Sequence, residues 1–215
     1  MWNLFPPKRR EPNLELLNFN SRVHIENPTA KSVFQANLRL FLAEFYEPAS
    51  ELVFLCIGTD RSTGDSLGPL TGSKLQALNS HSVPVYGTLD QPVHAVNLEE
   101  NIALINSKHQ KPFIIAIDAC LGRSESVGYV SIKEGPLQPG TGVNKSLPAV
   151  GNLQIIGIVN VGGFMEYMVL QNTRLSLVMK MADLIAQSIT MELQALTYVT
   201  PEMVDFPTPL EPVYP

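Results

Sequence analysis

Charge is scarce in this chain of 215 residues: Asp, Glu, Lys and Arg together make up 16%. With 45% hydrophobic residues, that composition excludes a disordered polar segment and predicts a packed core. Basic residues are fewest. The net charge is −5 and the pI is near 5.4, whereas a nucleic-acid binder carries a positive surface. Lys8-Arg9-Arg10 is the one basic run, so no nucleic-acid partner is expected. Cysteine is nearly absent. Cys56 and Cys120 form no Cys-x-x-Cys pair, which argues against a disulfide framework. Both close apolar runs, where a free thiol packs as a small hydrophobe. No apolar run reaches the length of about 20 residues that spans a bilayer. Prolines and charges interrupt MWNLFPPKRREPNLE, unlike a signal peptide. A cytoplasmic protein with no membrane partner is expected.

What is there reads as alternating strands and helices. Residues 1–30 are rich in proline and asparagine and are expected to form an irregular arm. Phe34, Leu38, Phe41 and Phe45 recur on one face of a helix over 32–45, suited to core packing or to an interface between copies. LVFLCI, VPVYGT, PFIIAIDAC and LQIIGIVNV are apolar runs that fit strands buried on both faces. SVGYVSIKEG alternates, as a strand covered on one side does. Helices are expected over 67–79, after Asn97 as a cap, and over 175–196. Residues 197–215 carry five prolines and form a tail. A single domain over 31–196 follows. Its fold class is α/β, three layers with a twisted, mostly parallel sheet.

In such sheets ligands bind beyond the carboxyl ends of the strands. The first of those places is the stretch VFLCIGTDRSTGDSLGPLTG, residues 53–72. A phosphate loop needs G-x-x-x-x-G-K-[ST]. Here five residues separate Gly58 from Gly64, and Asp65 stands where lysine belongs. A carboxylate repels phosphate, so that chemistry is excluded. Asp65 reads either as a helix cap or as a reactive carboxylate. Asp118 directly follows FIIAI, where a charge is costly unless it is paired or used. Two carboxylates facing one crevice can share a proton, activate a water or hold a divalent cation. Gly140, Gly142, Asn144 and Lys145 form a loop that can offer amides and a cation to a substrate. The same run also suits a plain surface turn. His94 follows the second strand and is the histidine nearest the expected crevice; Asp60 is a further candidate.

The blocks IGTDRSTGDSLGPLTGSKL, IIAIDACLGR, GPLQPGTGVNKSLPAVG and IIGIVNVGG occur in the order seen in the YyaC-type sporulation proteins, and the chain is identified as a member of that family. Over about 51–190 it also resembles the spore germination protease and, more distantly, the HybD-like hydrogenase maturation proteases. The resemblance implies peptide-bond hydrolysis on a protein or peptide substrate inside a spore or sporulating cell. It implies Asp65 and Asp118 as the catalytic pair. It also makes a homo-oligomer an open expectation. The maturation proteases add a metal-binding histidine after the second acid. No histidine follows His109 here, so no metal site is assigned, and a divalent cation on Asp65 and Asp118 stays an alternative. A catalytically inactive peptide- or protein-binding module on the same fold is the competing expectation, and an amidase on small fragments is a third.

Overall fold

The computed structural model describes residues 21–47, 49–78, 83–140 and 147–198. In chain order the elements are β1 (Arg22–His24), α1 (Ala30–Phe45), β2 (Glu51–Cys56), a 3₁₀ turn (Gly64–Ser66), α2 (Leu67–Leu78), β3 (Val85–Tyr86), α3 (Leu98–Lys108), β4 (Pro112–Gly122), a second 3₁₀ turn (Ser124–Ser126), β5 (Tyr129–Glu134), β6 (Leu153–Val161), α4 (Glu166–Gln171) and α5 (Leu175–Tyr198). The strands form one sheet ordered β1-β5-β6-β4-β2-β3. β3, β2, β4 and β6 run parallel, and β5 lies antiparallel to both β6 and β1. This is the expected α/β sheet.

The apolar runs explain the layers. β2 and β4 are buried over Leu52–Cys56 and Phe113–Asp118, because helices cover both faces. On one face Phe54, Ile115 and Ile155 pack with Phe34 and Leu38 of α1, Leu67 of α2 and Ile185 of α5. On the other, Val53, Leu55 and Ile114 pack with Leu98 and Ile105 of α3. Phe41 and Phe45 lie partly buried against the first cluster, so the α1 stripe serves the core.

Three local expectations change. Arg22–His24, inside the stretch read as irregular, forms β1 and pairs with β5. Val23 is buried there, and Arg22 stacks on the Tyr129 ring at 4.0 Å. Three residues are too few to show periodicity. The second strand shrinks to Val85–Tyr86, because Pro84 before it gives a carbonyl to Phe54 but has no N–H to return. Asn97 precedes α3 but makes no side-chain cap bond. Its side chain turns back, accepting from the His94 amide and donating to the Pro92 carbonyl. Residues 1–20 and 199–215, most of the expected arm and tail, lie outside the described residues.

Candidate active site

After β2 the connection passes outward to β3, while β4 lies on the other side of β2. The β2/β4 boundary is therefore the switch point of the sheet, where a crevice opens. Pairing of β2 with β4 stops at Cys56↔Ile117, and the Ile57 amide makes a last bond to the Ile117 carbonyl. The chain then turns at Gly58, whose φ is 143°. A Cβ at Gly58 would collide with the Asp65 carbonyl oxygen. That carbonyl accepts from the Thr59 amide at 3.1 Å. The loop is thus folded back on itself, which carries Asp65 to the strand end. Asp65 is the second residue of the 3₁₀ turn, and Thr63 holds the cap position. The helix-cap reading of Asp65 does not hold, because the turn begins before it.

β4 does not stop at Asp118. It continues to Gly122 beside β6, with a register shift between Cys120 and Leu121. Asp118 is the first β4 residue beyond the β2 pairing, so it overlooks the gap that β2 leaves. It is 9% exposed, and its Oδ1 accepts from the Ala119 amide at 2.7 Å.

Between these walls lies a cavity of about 590 Å³, lined by Asp65, Asp118, His94 and Gly140 among others. Burial, then the nearby Asp65 charge, push the Asp118 carboxyl well above the usual carboxylate range, against the Ala119 amide. Burial also raises Asp65, while His94 and the Thr59 amide hold it down. Burial is deeper at Asp118, while His94 and the Thr59 amide favour the charged form of Asp65. Asp65 is therefore the member that ionises first, and Asp118 the member that keeps its proton. His94 Nδ1 accepts from the Val96 amide at 3.3 Å.

Among the expected site residues, Asp65, Asp118, His94 and Gly140 share this crevice. Asp60 is exposed and does not line it. Gly142, Asn144 and Lys145 lie outside the described residues. The crevice also takes Arg61 and Ser62 from the first loop, and Glu166 and Tyr167 from α4. The sequence reading missed these. A Gly162-Gly163 break before Glu166 was the available signal. Cys120 lines the crevice too. It is only partly buried, unlike Cys56, because β4 runs on past the core. Burial and the neighbouring Asp118 push its thiol up to about 11.

No group of three or more His, Cys, Asp and Glu side chains suited to a metal ion exists among the described residues. Asp65 and Asp118, the latter disfavoured as a charged ligand by its burial, do not fit the three-ligand site implied by the maturation proteases, and no step below runs through a metal.

A family model described as "Protein of unknown function (DUF1256)" matches residues 22–188. The chain belongs to this family. Within DUF1256, the start of the match coincides with β1. The chain is 60% identical over 140 residues to "Uncharacterized protein YyaC" of Bacillus subtilis (strain 168), across 65% of this chain and 68% of that protein. The crystal structure of a [NiFe] hydrogenase maturation protease HycI from Thermococcus kodakarensis KOD1 aligns with a TM-score of 0.46 and 16% identity, over 67% of this chain and 93% of that chain. Among the described residues no helix is long and apolar enough to cross a membrane.

Proposed function

We propose that this protein is an aspartate-dependent peptidase that cleaves a peptide bond of a protein in a sporulating cell or spore. One observation supports the chemistry: two carboxyl groups line one switch-point crevice, where burial raises both and does so more at Asp118. The spore setting rests on the motif resemblance alone.

Ionised Asp65 takes a proton from a water, whose oxygen attacks the carbonyl carbon. Protonated Asp118 gives its proton to the substrate, first supporting the carbonyl oxygen and then the leaving nitrogen. The C–N bond breaks, leaving a carboxylic acid and an amine. Proton return from Asp65 to Asp118 resets the pair. The loop of Gly140, Gly142, Asn144 and Lys145 supplies donors to the oxyanion in this reading.

The test incubates purified protein with an extract of sporulating cells and maps new peptide termini by mass spectrometry. Asp65→Asn and Asp118→Asn should each lower cleavage by about 10²–10⁴-fold, as loss of a positioned acid or base does. Folded wild type that yields no new termini would replace the peptidase with the peptide-binding module.

A further inference from the structure

Ser62 is anomalous among the buried hydroxyls. Among the described residues, every other buried serine or threonine makes a hydrogen bond. Ser66 donates to the Thr63 carbonyl at 2.6 Å, Thr71 to that of Leu67 at 2.7 Å, and Thr190 to that of Ala186 at 2.8 Å. Thr173 donates to the Val169 carbonyl at 3.0 Å and Ser188 to that of Lys31 at 3.4 Å, while Thr88 accepts from the Gln91 amide. Ser62 is 6% exposed, and its Oγ has no partner. It is also the one of these seven residues that lines the crevice of the two aspartates.

A buried hydroxyl without a bond lowers stability, and one at the edge of a crevice is placed to be completed by a ligand or a water. Ser62 sits in the folded-back loop three residues before Asp65, next to Arg61, which also faces the crevice. A hydroxyl both donates and accepts, so it suits the alternating C=O and N–H groups of a peptide backbone and does not select a side chain.

We propose that Ser62 is a substrate-binding residue, its hydroxyl bonding the main chain of a peptide laid across Asp65 and Asp118. Its χ1 turns between staggered positions, and in the bound state Oγ meets the peptide. This rests on the peptide reading of the crevice, but not on cleavage.

The experiment uses full-length Asp118→Asn protein, since asparagine copies a protonated carboxyl and turnover is suppressed. Immobilised protein is offered a library of random octapeptides, and retained peptides are quantified by mass spectrometry. Adding Ser62→Ala should weaken retention about 3- to 10-fold, the worth of one net hydrogen bond. The melting temperature should hold or rise, because an unbonded hydroxyl has been removed. Ser66→Ala is the control: its hydroxyl is already bonded inside, so melting should fall and retention should persist. Equal retention with and without the Ser62 hydroxyl overturns the assignment. So does a fall in melting temperature with Ser62→Ala like that of the control, and so does retention by neither protein. Failure of the peptidase reading looks different: peptides bound in a Ser62-dependent way return uncut from wild type.

Discussion

Two buried carboxylates of this protein are treated in opposite ways. Glu192 of α5 is fully buried, and both its oxygens are paired: Oε1 with Arg39 Nε and Oε2 with Arg39 Nη2, each at 2.8 Å, with Gln35 Nε2 also on Oε2. Asp118 is buried almost as deeply but has one backbone amide and the like charge of Asp65 for company. A carboxylate that only supports the fold finds a cation. One left beside a second acid, in a crevice, is a candidate for the chemistry proposed above. The contrast makes Arg39–Glu192 an internal control for Asp65–Asp118.

Breaking the supporting pair should have the largest effect on stability. Arg39→Ala leaves buried Glu192 without its cation, at a cost of about 2–3 kcal/mol, the low side of such losses because Arg39 is half-exposed. Thermal unfolding should show a melting temperature lower by roughly 4–12 °C, with any peptidase activity below that temperature unchanged.

The reactive pair should respond in the other direction. Burial raises the folded pKa of Asp118 above its unfolded value. Stability linked to it is therefore complete at low pH and is lost as pH rises through the folded value. Asparagine cannot ionise, so Asp118→Asn should be more stable than wild type by about 1–2 kcal/mol at about pH 8. The gain should shrink as pH falls. A melting series over pH checks this, and a destabilised variant at high pH would remove the contrast with Glu192.

The smallest effect sharpens the assignment of roles. If Asp65 is the base and Asp118 the acid, kcat/KM rises with pH as Asp65 ionises and falls as Asp118 loses its proton. His94 helps to hold Asp65 down. His94→Gln should therefore move the rising limb to higher pH by less than about one unit, leaving the falling limb in place. A shift of the falling limb instead would exchange the two roles.

How much of this was legible depends on the length and regularity of each signal. LQIIGIVNV is β6 at the expected residues, and α2 begins at the expected Leu67. Both are long and strongly patterned. β1 has three residues. α4 has six and enters through Met165 at φ 55°, a conformation rare for a side chain of that size. Neither leaves a periodic trace. The same limit governs the site. Asp65 follows a glycine-broken loop and Asp118 an apolar run, so each stands out locally. Ser62 and Glu166 have ordinary neighbours and gain meaning only from the crevice.

The sequence by itself determined the class of sheet, because alternating apolar runs and helical stripes can bury their faces in few ways. It also put one acid in the loop after a strand and one at the end of an apolar run, and withheld the lysine that phosphate would need. Only the tertiary structure decided that β4 outruns β2, that Gly58 folds the loop back onto Asp65, and that α4 closes the far wall. Those features depend on register and on contacts between distant segments. They fix which carboxyl is deepest, and depth and neighbouring charge set which one keeps its proton.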